Sequence, residues 1–210
     1  MSQFITIHPD NPQPRLIAQV VDCLNDGGVV VYPTDSSYAF GCRIGEKDAL
    51  ERIRQIRRLN HSHNFTLVCR DLSEIAVYAK VDNAAYRLLK AYTPGPYTFV
   101  LQATRQVPRR LQHPKRKTIG LRVPDNVIAQ TMLATLGEPI MSSSLALPDE
   151  ELPMTDPYEI SDVLGDRVDL IVDGGYCGYE FTTVVDLTEG IPRVLRLGRG
   201  DASVFYMQAG

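Results

Sequence analysis

The chain lacks several features that would settle its class at once. No apolar run approaches ~18 residues, so no segment reads as a transmembrane helix and no membrane partner is expected. The first residues, Met1 to His8, lack the basic and apolar regions of a signal peptide. There are 4 cysteines, Cys23, Cys42, Cys69 and Cys177, far apart and with no C-x-x-C pair. That spacing argues against a zinc site and for free buried thiols in a reducing cytoplasm. No Walker motif is present, so any nucleotide must be held in another way. Internal repeats and low-complexity stretches are also missing.

What remains is an ordinary globular composition. Hydrophobic residues make up 44% of 210. A chain of this length buries roughly 70% of its unfolded surface, enough for one large domain, or one domain with an appendage, over residues 1–210. The net charge is −3 but is unevenly spread. Residues 43–122 hold 17 Lys and Arg against 6 Asp and Glu; the rest holds 5 against 19. This division points to a positive face for a nucleotide or polyanion, unless folding mixes the two halves.

Hydrophobic spacing alternates between periods of two and of about four, giving interspersed strands and helices and an α/β class. Strands are expected at residues 4–8, 29–32, 65–69, 97–103, 118–124, 139–146, 168–173, 182–187 and 193–197. Helices are expected over 14–25, 46–58, a short segment carrying Ile75, then 83–92, 126–136 and 157–164. Asp82 and either Asp71 or Ser73 are suitable N-caps, and Gly137 and Gly165 are suitable stops.

The centre of this pattern is V-V-V-Y-P-T-D-S-S-Y-A-F-G-C, residues 29–42. A β-branched run ends at Pro33, which has no N–H for a ladder. Five side-chain oxygens follow, on Thr34, Asp35, Ser36, Ser37 and Tyr38. Strands that stop in hydroxyls place polar groups at the mouth of a sheet, although an ordinary polar turn has the same composition. Arg122 lies between Leu121 and Val123. On an alternating strand it points either to water or inward at a carboxylate of the protein or of a ligand. Residues 105–117 hold six Arg and Lys, no acid and two prolines. This reads as a flexible basic loop, either a solvated linker or a grip on phosphates. His61 and His63 fit a solvated turn better than a metal site, because no Cys or carboxylate sits near them.

The segments Y-P-T-D-S-S-Y-A-F-G-C, T-P-G-P-Y-T-F-V-L, I-G-L-R-V-P-D, V-D-L-I-V-D-G-G and T-T-V-V-D-L-T…P-R-V-L-R-L-G together resemble the YrdC-like threonylcarbamoyl-AMP synthase family, over roughly residues 14–200. The resemblance implies a single domain with a twisted mixed sheet, largely antiparallel-containing, and flanking helices around a concave basic cavity. It also implies a reaction: L-threonine, bicarbonate and ATP give threonylcarbamoyl-adenylate and pyrophosphate, feeding t6A modification of tRNA. Mg²⁺ is expected with the ATP. Carried over residue by residue, Thr34, Arg122, Ser142 and Thr182 match threonine-binding positions, with Arg122 on the carboxylate. Arg57, Thr118, Ser144 and Arg196 match nucleotide-binding positions, and Arg57 and Ser144 fall in the catalytic motifs.

Two motifs depart from the family. Its K-x-R is Arg57 and Leu59 here, and its S-x-N is Ser144 and Ala146. Losing a phosphate-facing cation and an amide removes transition-state stabilisation. The threonine half of the site is therefore kept and the nucleotide half altered. One alternative reading is a ligand-binding paralogue for another carboxylate and nucleotide; the other is an RNA-binding protein acting on tRNA or double-stranded RNA. It would use Arg52, Arg54 and Arg58 of the second helix with Arg109, Arg110, Lys115, Arg116 and Lys117 of the loop.

Overall fold

The computed structural model describes residues 2–60, 65–148 and 150–206. His61 and His63 lie outside them. Ten strands form one mixed sheet in the order β1-β8-β2-β3-β7-β4-β6-β5-β9-β10. They are β1 Gln3–Thr6, β2 Val30–Tyr32, β3 Ala39–Arg43, β4 Thr66–Val68, β5 Tyr97–Gln102, β6 Thr118–Arg122, β7 Ile140–Ser144, β8 Leu170–Asp173, β9 Thr183–Asp186 and β10 Arg193–Arg196. Five of the pairings are antiparallel, among them β2 with β3, β3 with β7 and β5 with β6; the others, such as β4 with β6, are parallel.

The expected strands all form, with ends within two residues of the sequence reading. One strand was not anticipated. After Pro33 the chain does not stay at the mouth of the sheet; it turns over Thr34–Tyr38 and returns as β3. Val31 then lies opposite Phe40 and Tyr32 opposite Ala39. Thr34 builds the turn: its Oγ1 accepts from the Ser36 and Ser37 N–H groups and donates to the Ser37 carbonyl at 2.6 Å. A hydroxyl that replaces backbone partners in this way holds a tight reversal without glycine.

The helices divide the sheet unequally. On one face lie α2 (Lys47–Arg57), α3 (Leu72–Tyr78), α4 (Asn83–Tyr92) and α6 (Pro157–Leu164). Their apolar stripes, such as Ile53 and Ile56 of α2 and Leu88 and Leu89 of α4, pack on Phe40, Leu67, Phe99, Leu121 and Met141. Asp71 and Asp82 cap α3 and α4, accepting from Glu74 N and Ala85 N. On the other face lie α1 (Pro14–Asn25) and α5 (Val127–Leu136), packed on each other. They cover Val30, Tyr32, Ala39, Ile140, Leu170 and Val172. The remaining helix is α7 (Ser203–Tyr206), which buries Phe205 among Tyr92, Tyr97 and Phe99.

Residue alternation then sets what the second face carries farther along the sheet. Leu67, Phe99, Ile119, Leu121 and Val185 point to the α2–α4 core. Their neighbours Thr66, Thr98, Thr118, Arg122 and Val184 point the other way, beyond the reach of α1 and α5. Among the described residues no helix covers this part of the face, and small polar side chains floor it.

Residues 105–117 differ from the loop expected. They are irregular, but Val107 and Leu111 are buried in the core, and the Ala103 and His113 N–H groups donate to Lys117 and Thr118 carbonyls. The segment is tethered at several points, because its two apolar residues gain more by burial than the basic ones lose by approaching the sheet.

Candidate active site

This part of the sheet encloses a cavity of about 410 Å³. Its floor is Thr66, Thr98, Thr118, Ser142 and Thr182, and Arg57, Arg116, Arg122 and Arg196 reach it from several sides. Gly120 keeps the floor low: a Cβ there would come within 3.1 Å of Thr66 Oγ1 and 3.2 Å of Thr98 Cγ2.

Arg122 sits at the end of β6 and is 6% exposed. Its Nη2 donates to Asp35, to Thr34 Oγ1 at 3.2 Å and to Ser36 Oγ at 2.9 Å. Of the two directions open to it, Arg122 thus takes the inward one, and the carboxylate it meets is a protein group. Asp35 was read only as part of a polar run; its role depends on the reversal into β3, which brings it to a residue 87 positions away.

Arg57, in the last turn of α2, donates from Nε to the Ala146 carbonyl at 3.0 Å and from Nη1 to Ser143 Oγ. Burial, and then Arg196 nearby, brings its guanidinium down to about 10. Arg196, in β10, donates to the Thr182 carbonyl at 2.9 Å and to Thr182 Oγ1 at 3.1 Å, and lies 5.2 Å from the Phe181 ring centre. It too is lowered, first by burial and then by Arg122. Like charges gathered in a sheltered place depress one another's protonation, and an anion between them relieves that cost.

The hydroxyls fall into two groups. Ser142 shares a 2.8 Å hydrogen bond with Tyr32 and donates to the Phe40 carbonyl. Thr182 shares one of 2.9 Å with Thr98. Thr118 and Ser144 line the same cavity. Thr34 contacts Arg122 but faces a second cavity, of about 400 Å³, together with Asp35 and Cys177. Sequence reasoning missed Asp35, Thr98, Ser143 and Phe181. The alternating pattern marks Thr98, but only three-dimensional packing brings Ser143 to Arg57.

The other basic residues of the second helix and the loop are variously engaged, Arg116 among them. Arg52 pairs with Asp169, whose Oδ2 also accepts from Val29 N at 2.6 Å. Arg54 is turned inward, 5.3 Å from the Phe65 ring centre. Arg58 takes a left-handed conformation at the end of α2. Arg110 donates to the Gly45 carbonyl at 2.5 Å, and Arg116 lies 3.3 Å from Asp186. Arg109, Lys115 and Lys117 are exposed on the tethered segment. Among the described residues, no three His, Cys, Asp or Glu side chains gather as metal ligands, and no helix is long and apolar enough to cross a membrane.

A cationic, hydroxyl-floored cavity on this ten-stranded mixed sheet defines a Sua5/YciO/YrdC protein. The chain belongs to that family: the family's model, described as "Telomere recombination", matches residues 22–198. Among relatives, YciO of Escherichia coli, named only as uncharacterized, is 59% identical over 205 residues, covering 98% of this chain and 100% of its own. Its crystal structure superposes with a TM-score of 0.95. A threonylcarbamoyl-AMP synthase of Chromobacterium violaceum is 35% identical over 137 residues, 65% of this chain and 70% of that protein. P. abyssi Sua5 complexed with L-threonine has a TM-score of 0.90 at 24% identity; it matches 100% of this chain, which corresponds to 61% of Sua5, and shows the shared fold.

Proposed function

We propose that the chain is a threonylcarbamoyl-AMP synthase with a modified nucleotide site. It joins L-threonine and bicarbonate to the AMP portion of ATP, releasing water and pyrophosphate. The observation that carries this reading is the clustering of Arg57, Arg122 and Arg196 around one cavity floored by hydroxyls. The identity to the C. violaceum synthase supports it.

Arg122 holds the threonine carboxylate, with Thr34, Ser142 and Thr182 as the neighbouring hydroxyls. Arg57 and Arg196 face the phosphates, with Thr118 and Ser144 on the nucleotide. The amine nitrogen attacks the bicarbonate carbon and water leaves. A carboxylate oxygen of the resulting carbamate then attacks the α-phosphorus, and the bond to pyrophosphate breaks. Guanidiniums fixed before the reaction stabilise the charge that builds on the phosphates. Mg²⁺ is part of the ATP substrate in this scheme, shielding phosphate charge. Free thiols suit a reducing cytoplasm, where tRNA would receive the product.

The test is mass spectrometry of the chain incubated with ATP, Mg²⁺, bicarbonate and L-threonine. Threonylcarbamoyl-adenylate that disappears in Arg122→Ala is the expected product. None after prolonged incubation overturns the reading.

A second reading, RNA binding, rests on one observation: Arg109, Lys115 and Lys117 project from a segment that Val107 and Leu111 anchor beside the cavity. It is compatible with the first, since the adenylate is destined for tRNA.

A further inference from the structure

We infer that Asp35 is the specificity-determining residue of the site: it binds the ammonium of a free α-amino acid whose carboxylate is held by Arg122. The inference rests on the reading of Arg122 as the carboxylate anchor.

Asp35 and Arg122 form a sheltered ion pair, their side chains 10% and 7% exposed. The pair is left incomplete on both sides. Among the described residues, Arg122 Nε has no acceptor and Asp35 Oδ2 has no donor, and both atoms are buried. A buried charged atom without a hydrogen-bond partner calls for an explanation, and here both members of one ion pair have such an atom. Their chemistry is opposite: one wants an acceptor and the other a donor. An amino-acid head supplies both, its carboxylate accepting from Nε and its ammonium donating to Oδ2.

A purely structural counter-ion for Arg122 has a better geometry available. Arginine and a carboxylate favour a two-pronged contact using both oxygens. Here Nη2 alone reaches Asp35, through Oδ1, and shares itself with Thr34 and Ser36. The pair also stands between two spaces. Arg122 faces the cavity of about 410 Å³, whereas Asp35 and Thr34 face the one of about 400 Å³. A head group held at the pair therefore lies where the two spaces meet.

The selection follows from charge. A carboxylic acid without an amine sets a second negative group against Asp35 with nothing between them. An amine without the acid leaves Arg122 Nε unpaired. Both analogues lose affinity, the first more.

The experiment is calorimetric titration of the full chain with the twenty amino acids and with 2,3-dihydroxybutanoate, which is threonine with a hydroxyl in place of its amine. At least one amino acid binds, and the hydroxy acid of the same skeleton binds about 100-fold more weakly. Asp35→Asn weakens the amino acid and brings the two ligands to within about threefold, with the melting temperature of the variant checking its fold. Equal binding of both ligands by the unaltered chain overturns the inference, as does the failure of every amino acid to bind. Tighter binding of both ligands by Asp35→Asn also overturns it, because Asp35 would then only compete with the ligand carboxylate. Ammonium-dependent binding of an amino acid other than threonine, with threonine silent, keeps the inference and removes the threonine reading. Adenylate formation by Asp35→Asn at an unchanged KM for threonine does the reverse.

Discussion

Arg57 is fastened to Ala146 by a hydrogen bond of 3.0 Å from Nε to the backbone carbonyl. The two residues belong to the two motifs in which this chain departs from its family's pattern, so the departures meet in space. The guanidinium is positioned by main chain and by Ser143, and residue 146 itself contributes no polar side chain. Leu59, the other altered position, packs half-buried against the core and supplies no cation.

Restoring the family's side chains is expected to raise activity. Leu59→Arg with Ala146→Asn should increase the rate of adenylate formation, each change adding about 1–2 kcal/mol of charged or polar contact in the transition state. Single-turnover assays of the double variant read this directly. An unchanged rate argues that Arg57 in its present setting already replaces the missing groups.

Removing Arg57 should chiefly affect the nucleotide. Arg57→Ala is expected to weaken ATP binding by about tenfold to a hundredfold, the worth of a charged hydrogen bond, while amino-acid binding stays near its original value. Titration with each ligand separately distinguishes the two.

Breaking the Arg122–Asp35 pair from one side should cost more than removing it whole. Arg122→Met strands a sheltered carboxylate, a loss of about 3–5 kcal/mol in stability. Arg122→Met with Asp35→Leu recovers most of it. Urea unfolding of the single and double variants gives the comparison, and an equally unstable double variant would mean that packing, not charge, is at stake.

Stability should fall in alkali. Burial raises the Cys42 thiol from 9.0 to about 12 and Cys177 from 9.0 to about 11, and raises the Tyr32 phenol from 10.0 to about 12. The folded chain keeps these protons while the unfolded chain releases them, so the stabilisation is full below about pH 9 and is lost as pH climbs to the folded values. Cys42 alone accounts for about 2 kcal/mol by pH 10.5. Melting temperature against pH should bend downward from about pH 9, and Cys42→Ala should reduce the bend.

If the anchored basic segment holds RNA, affinity should fall steeply with salt. The triple change Arg109→Ala, Lys115→Ala and Lys117→Ala should flatten that dependence and leave adenylate formation from free ATP intact. Salt-independent binding would remove the RNA reading.

The parts of the fold that were legible in the sequence are those governed by neighbours. In α4, Asp82 caps the helix and Ala85, Leu88 and Leu89 face inward, as their spacing requires. Asn126 and Gly137 bound α5 in the same local way. The strand β3 was hidden because its polar approach, Thr34 to Tyr38, resembles an ending and gives no sign of the hydroxyl-built reversal. Side-chain direction was harder still. Nothing near Arg52 in sequence announces Asp169, and nothing near Arg122 distinguishes water from Asp35. Family resemblance singled out residues such as Arg57 and Arg122 that line the cavity, but their partners come from segments distant in the chain, where local rules have no hold.

The unequal cover of the sheet has a consequence for how such proteins diverge. Along β4, β5, β6 and β9, one residue of each adjacent pair belongs to the core and the next to the cavity floor. Inheritance can therefore rewrite the floor, letter by alternate letter, while the intervening letters go on specifying the same fold. Ala146, whose carbonyl holds the cavity-lining Arg57, adjoins that editable surface. A lineage can exchange one small-molecule chemistry for another there without passing through an ancestor that fails to fold.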